Sequence, residues 1–109
     1  ALAAANKRVA NILAKVTEDI PATVDAALLS EAAEKALHSA IVAEQAYQQS
    51  LNSYSEGLAH LAQLRDVVDQ FFDQVMVNAD DAKVRVNRQA LLAQLRALFL
   101  QVADIAVLQ

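Results

Sequence analysis

Apolar residues recur at steps of three and four along most of this chain, which is the spacing that places them on one face of a helix. The longest such run begins after a short polar break at residues 78–81 and continues close to the C-terminal end. Three shorter runs precede it, within residues 2–16, 31–51 and 58–75. The pattern predicts an all-α fold, a single-domain bundle of four or five helices. The positions that define the first and last runs are Leu2, Ala5, Val9, Ile12, Leu13, Val16, Val84, Leu91, Leu95, Leu98, Val102 and Ile105.

Pro21 and a few capping residues indicate where the helices begin and end. Proline disfavours the helical conformation at the residue before it, so the first helix is expected to end before Pro21. Ser30 is a candidate N-cap for a helix that begins near Glu31. Ser53 followed by Glu56 has the spacing of a capping box and predicts the start of the next helix.

The composition favours close-packed helices in one domain spanning residues 1–109. Hydrophobic residues make up 56% of the chain, much of that is alanine, and there is one glycine and one proline. The chain has no cysteine and no uncharged apolar stretch of 18 residues, so we expect no disulfide, no membrane partner and a cytoplasmic location. Because it begins at Ala1 rather than methionine, we also expect it to be a piece of a longer subunit.

Charge is segregated along the chain. The net charge of −4 argues at first against a nucleic-acid partner. However, residues 1–17 carry +3, residues 82–109 carry +3, and the middle, with two bases against twelve acids, carries −10. If the two ends pack side by side, their bases form one basic face. The alternative is that the basic ends only neutralise the acidic middle within one bundle.

Two groups of side chains are candidates for contacts with phosphate. On the first helix, four hydrogen-bond donors lie opposite the apolar face with no carboxylate among them: Lys7, Arg8, Asn11 and Lys15. On the last helix, Arg85 and Arg96 are eleven residues apart, so they project from one side and lie about 16 Å apart along the axis. The alternative for the first group is a solvated basic face of no particular use.

Arg88 is predicted to have a structural role, because its helical angle places it within the apolar stripe of the last helix. Asp69 and Asp73 belong to an acidic stripe that would repel phosphate. We therefore expect the Arg88 guanidinium to pair with Asp69 or Asp73 and to brace the last helix.

The sequence contains no recognisable constellation for catalysis, a metal or a cofactor. It has no glycine-rich loop and no nucleophile with a base at motif spacing. His38 and His60 have no second histidine, cysteine or paired carboxylate at ligand spacing. The chain alone is therefore expected to be non-catalytic and to hold no cofactor.

Two stretches of the chain carry a resemblance to a known family. They are NKRVANIL at residues 6–13 and VDQFFDQVMVN at residues 68–78, the latter followed by RVNR at residues 85–88 and by LFLQVADIAVLQ at residues 98–109. In these phrases the chain resembles the C-terminal anticodon-binding domain of the bacterial glycyl-tRNA synthetase beta subunit, a DALR-type helical family shared with arginyl-tRNA synthetase. It departs from the family at Val67, where a proline is usual and a helix kink near residues 64–67 would follow, and at Gln89, where a leucine is usual.

The resemblance implies a DALR-type anticodon-binding fold that grips the anticodon stem and loop of glycine tRNA, and not DNA. It also implies that a separate alpha subunit binds ATP, magnesium and glycine and performs the aminoacylation, in a heterotetramer in which the rest of the beta subunit is a further partner. With RNA implied as the partner, Asn11 and Asn78 are candidates to read base edges, and Tyr54 or Phe71 to stack on a base of an unstacked loop. Phosphate contacts fix the position of a bound RNA, so any discrimination between bases is expected from these amides and rings.

Two alternatives stay open. One is the anticodon domain of the arginyl branch, which the closing ADIAVLQ disfavours, and the other is an alanine-rich helical adaptor that binds another protein.

Overall fold

The longest helix forms one side of a four-helix arrangement and determines its length. The computed structural model describes the backbone of residues 2–49, 57, 59 and 61–108, and the side chains of residues 4–47, 57, 59 and 61–101. Within these residues there are four α-helices and no strand, which confirms the all-α prediction. The helices are α1 (Leu2–Ala14), α2 (Ala32–Gln49), α3 (Arg65–Gln74) and α4 (Ala82–Leu108), and short 3₁₀ turns occupy Ala26–Leu28 and Ala62–Leu64. The 27 residues of α4 rise by about 40 Å, close to the 43 Å longest dimension of the molecule.

The helices pack so that α1 and α2 each contact both α3 and α4. Their contact faces are the apolar stripes that the three- and four-residue spacing predicted, and they meet in one core. Burying each large apolar side chain contributes roughly 1.5–3 kcal/mol, so this core is the main source of stability. Its larger members are Val9, Leu37, Ile41, Leu61, Leu64, Val68, Phe71, Val75, Leu91, Leu92, Leu95, Leu98 and Phe99.

The first helix ends at Ala14, before Pro21, as predicted. Its last turn tightens, because the N–H groups of Lys15 and Val16 donate to carbonyls three residues earlier, both at 3.2 Å. The fourth helix begins after the predicted polar break, and Asp81 caps it. The Asp81 carboxylate accepts from the N–H groups of Lys83 at 2.9 Å and Val84 at 3.3 Å.

The start of α2 differs from the prediction. The helix begins at Ala32, so the residue before it is Glu31 and not Ser30. Instead of capping, the Ser30 hydroxyl donates to Glu34 at 3.3 Å, and the Glu34 carboxylate accepts the Glu31 N–H at 3.0 Å. This is the half of a capping box in which the third helical residue reaches back to the cap position.

The segment between α1 and α2 is held against α4 by polar contacts. The Asn87 amide accepts the N–H of Asp25 at 2.7 Å and donates to the carbonyl of the same residue at 3.0 Å. Asp25 in turn caps the 3₁₀ turn by accepting the N–H of Ala27 at 2.9 Å. Apolar burial in this segment is limited, with Leu29 buried and Val24 and Leu28 partly exposed.

Two further predictions concern the stretch before α3. The predicted capping box at Ser53 and Glu56 lies outside the described residues. The sequence placed any bend of the chain at residues 64–67, and the structure departs from regular α-helix at the 3₁₀ turn Ala62–Leu64 immediately before α3. No helix in residues 2–49, 57, 59 or 61–108 combines the length and apolar character that crossing a membrane requires.

Candidate nucleic-acid interface

A groove of about 620 Å³ runs beside the polar face of α1. One wall is α1 with the residues that follow it, and the other is supplied by the turn before α4 and by α4 itself. Five of the seven predicted RNA-binding residues line this groove, so α1 and the α3–α4 turn bring them to one place. The lining residues are Ala4, Lys7, Arg8, Asn11, Ile12, Lys15, Val16, Thr17, Glu18, Asn78 and Gln89.

Helical spacing places the donors of α1 along the groove. Lys7, Asn11 and Lys15 follow one another at four-residue steps, so they lie on one face, and all three are exposed. Arg8 lies beside them with its guanidinium carbon 4.1 Å from the centre of the Phe72 ring. That cation–π contact holds Arg8 at the boundary between α1 and α3.

Arg85 is engaged by a carboxylate that the sequence did not single out. Its Nε and Nη2 donate to the two carboxylate oxygens of Glu18, at 2.7 Å and 2.9 Å, and its Nη1 donates to the Ala79 carbonyl at 3.0 Å. The hydrogen bond from Arg85 lowers the pKa of Glu18, and the same bond raises the pKa of Arg85. Arg85 therefore joins the segment after α1 to the start of α4, and its charge is neutralised at the edge of the groove.

Arg96 lies on the same side of α4 as Arg85, as the eleven-residue spacing predicted. Its Nη1 donates to the Asn6 amide oxygen of α1 at 3.5 Å. Neither Arg85 nor Arg96 is among the residues that line the groove. Because one contacts the start of α1 and the other a residue beyond its end, α1 runs antiparallel to α4.

Arg88 is buried within the apolar face, as predicted, but its predicted partners are wrong. Its Nη2 donates to the Glu34 carboxylate of α2 at 3.0 Å, and its Nη1 donates to the Met76 carbonyl at 2.6 Å. Asp69 and Asp73 are exposed on the side of α3 that faces solvent, out of reach of a side chain directed into the core. Arg88 is 7% exposed and Glu34 is fully buried.

Burial and hydrogen bonding act in opposite directions on Glu34. Removal from water is the largest influence and raises the pKa of a carboxyl group. Hydrogen bonds from Arg88, the Glu31 N–H and Ser30, with the positive charge of Arg88, together outweigh it, so the pKa of Glu34 lies below its ordinary value. The carboxylate is therefore charged and paired at neutral pH.

Of the two predicted stacking residues, Phe71 is not available on this surface. Phe71 is fully buried and meets Phe72 edge to face, with the ring centres 5.7 Å apart. Tyr54 lies outside the described residues. The partly exposed ring next to the groove is Phe72, and its contact with Arg8 could not be found from spacing alone because the two residues lie on different helices.

Within the described part of the chain, no group of three or more histidine, cysteine, aspartate or glutamate side chains could hold a metal ion. His38 is partly buried on α2, and His60 lies outside the described residues.

The fold and the groove together define a class of protein. This chain is an all-α domain with a cationic groove between α1 and the start of α4. The family model described as the DALR anticodon binding domain matches residues 2–106, and the chain belongs to that family.

Its relatives are beta subunits of one enzyme. The chain is 60% identical over 111 residues to the glycine–tRNA ligase beta subunit of Pseudomonas aeruginosa, an alignment that covers 99% of this chain and 16% of that protein. It is 58% identical over 112 residues to the protein of the same name from Glaesserella parasuis, and 56% identical over 112 residues to that from Cronobacter sakazakii. The chain thus spans about a sixth of the length of these relatives.

Proposed function

We propose that this chain binds the anticodon stem and loop of glycine tRNA through the groove beside α1. The observation that carries the proposal is the collection of Lys7, Arg8 and Lys15 in one groove of a chain whose net charge is −4. Glu18 is the one acid among the lining residues, and Arg85 neutralises it. Phosphate groups therefore meet positive charge there and little opposing charge.

The names of the relatives suggest which RNA the groove binds. They are glycine–tRNA ligase beta subunits, which supports our proposal that the RNA is glycine tRNA and that the chain is part of a longer beta subunit that acts with an alpha subunit. In this assignment the chain positions tRNA, and ATP, magnesium and the aminoacylation chemistry belong to the alpha subunit. Formation of glycyl-tRNA by the purified chain alone would contradict this division of roles.

The structure changes which residues are expected to contact phosphate. Lys7 and Lys15 are exposed in the groove, whereas the guanidinium of Arg85 already donates hydrogen bonds to Glu18 and to the Ala79 carbonyl. Arg85 thus acts chiefly by fixing the segment after α1, and Arg96 acts by holding α1 through Asn6. Lys7 and Lys15 therefore account for most of the counterions that are released when tRNA binds.

A salt titration tests this assignment. Fluorescence anisotropy with labelled glycine tRNA, repeated from 50 to 300 mM salt, gives the slope of log K against log salt. Lys7→Gln and Lys15→Gln are each expected to reduce the slope by about 0.7–0.9, the value for one lost phosphate contact. The matched control is Lys35→Gln, which removes the same charge from an exposed site on α2 outside the groove.

Two results would count against the proposal. Equal slopes for the Lys7 and Lys35 variants would place the phosphate contacts elsewhere. Binding without salt dependence would favour the alternative of an adaptor that recognises a protein through apolar contact.

A further inference from the structure

Arg8 is held in the groove by an aromatic ring. Its guanidinium carbon lies 4.1 Å from the centre of the Phe72 ring, well within the distance of about 6 Å over which a cation and a ring attract each other. Arg85 and Arg88 differ from it, because each of them donates to a carboxylate, at 2.7 Å and 3.0 Å. A phenylalanine ring carries no net charge, so its contact does not neutralise Arg8.

Arg8 lies between the ring and the groove. It is exposed and is among the residues that line the groove, whereas Phe72 is partly buried and is not among them. The ring therefore backs the guanidinium on the side of α3, and the opposite side of the guanidinium is open to the groove.

Packing against the core fixes the ring behind Arg8. Phe72 meets Phe71 edge to face, with the ring centres 5.7 Å apart and an angle of 72° between the ring planes. Phe71 is fully buried, and Phe72 packs against the same core. Because a fixed ring holds the guanidinium, Arg8 is ordered before RNA binds, and less conformational entropy is lost on binding.

The side of Arg8 that faces the groove offers a flat, positively charged surface. A guanidinium is planar and more weakly hydrated than an ammonium, so it stacks on other flat π systems. Proteins that bind single-stranded RNA stack unpaired bases on aromatic rings and on arginine guanidinium planes. The lysines of the groove have no such plane and act as point charges, so their role differs from that of Arg8.

We propose that Arg8, backed by Phe72, is the platform of this groove on which one unstacked base of the RNA loop lies. The inference rests on the proposed function, and it assigns to Arg8 a contact with a base where Lys7 and Lys15 contact phosphate. The base, the guanidinium and the Phe72 ring then form one continuous stack that ends on the core. Every base has a π face, so the platform holds a base in place without selecting its identity.

Hairpins that lack one base test for this platform. RNA hairpins with the anticodon stem and loop of glycine tRNA are prepared with one loop base at a time removed, and their affinities are measured by fluorescence anisotropy. Wild-type protein is expected to lose affinity about tenfold when the stacked base is removed, the order expected for one stacked base.

Arg8→Lys keeps the positive charge next to the ring but removes the plane on which a base can stack. It is expected to bind the intact hairpin about tenfold more weakly than wild type and to bind the hairpin without the stacked base as tightly as wild type does. The salt slope should stay unchanged, because no charge is lost.

Three further variants separate stacking from charge and from packing. Arg65→Lys makes the same change at an exposed site on α3 outside the groove and should keep the wild-type loss on removal of the base. Lys7→Gln should weaken the intact and the abasic hairpins by equal factors, because the contact it removes is with phosphate. Phe72→Leu removes the ring behind Arg8 while keeping an apolar side chain, and it should reduce the loss on removal of the base. Its melting temperature shows whether it folds, and Arg8→Lys, at an exposed position, decides if it does not.

The outcomes for the two proposals are distinct. If wild-type protein loses no affinity for any abasic hairpin, or if Arg8→Lys weakens the intact and abasic hairpins by equal factors, the inference about Arg8 is overturned. A folded Phe72→Leu variant that keeps the full loss on removal of the base would overturn the role of the ring. In either case the assignment of the groove stands as long as Lys7→Gln still reduces the salt slope. If the wild-type chain binds none of the hairpins, both proposals fail.

Discussion

Replacement of Arg88 by methionine removes the cation from the buried pair while keeping much of the side-chain volume. The change eliminates the donor to Glu34 at 3.0 Å and the donor to the Met76 carbonyl at 2.6 Å. It leaves Glu34, which is fully buried, without its counter-charge. Breaking a buried pair by removing one partner costs about 3–5 kcal/mol.

For Arg88→Met we expect a loss of stability at the lower end of this range. Glu34 keeps its hydrogen bonds from the Glu31 N–H and from Ser30, at 3.0 Å and 3.3 Å, and it can take up a proton. We therefore expect Arg88→Met to lower the free energy of unfolding by about 3 kcal/mol at pH 7. For a domain of this size that corresponds to a fall in melting temperature of about 12 °C.

The pH dependence gives a second signature. In the wild type the pKa of Glu34 is depressed. Its contribution to the stability of the fold is therefore present above the pKa of an unfolded glutamate, and it is lost as the pH falls through the folded-state pKa. In the variant, burial acts without the opposing cation and raises the pKa of Glu34, so acidification relieves the destabilisation. The difference in stability between wild type and Arg88→Met should therefore shrink between pH 7 and pH 5.

Urea denaturation followed by circular dichroism measures both effects. Arg65→Met is the matched control, because Arg65 pairs with Asp69 at 3.8 Å on the surface and should contribute less than about 1 kcal/mol. The double variant Arg88→Met with Glu34→Leu should recover part of the lost stability, since no charge is then left unpaired. A loss below about 1 kcal/mol for Arg88→Met at pH 7, with no change on acidification, would refute this reasoning.

Two further predictions concern the ends of the helices and the segment between α1 and α2. Asp81→Ala removes the cap of α4 and should lower the free energy of unfolding by about 1 kcal/mol. Asp81→Asn can still cap the helix and should keep most of the wild-type stability. Equal losses for the two variants in urea denaturation would show that capping is not the cause. Asn87→Ala removes both bonds to Asp25 and should cost about 1–3 kcal/mol, with faster amide hydrogen exchange at Asp25 and Ala27. Unchanged exchange at these two amides would mean that the segment is held in another way.

Local signals in the sequence predict the helices and name five of the residues that line the groove, but they do not predict the partners of the charged residues. Pro21 and the polar break at residues 78–81 act within a few residues, so their effects on helix ends can be read directly. Spacing along α1 likewise gives the common face of Lys7, Asn11 and Lys15. Contacts between helices depend on how the helices pack against one another, and the spacing of residues along one helix gives no information about that packing.

Two corrected or missed residues illustrate this limit. Arg88 had acidic candidates on several helices, and its partner Glu34 is separated from it by 54 residues. Glu18 lies in an irregular segment without periodicity, so nothing in the sequence indicated that it would turn toward Arg85.

The polar attachment of residues 15–31 to α4 has a consequence for how this part of the molecule opens. Its long-range anchors, Glu18 to Arg85 and Asp25 to Asn87, are ionic and amide contacts with little apolar area beneath them. Heat capacity rises on exposure of apolar surface and falls on exposure of polar surface, so detachment of this segment carries a small heat capacity change. Its opening free energy should therefore vary almost linearly with temperature, while the free energy of global unfolding follows a curved profile.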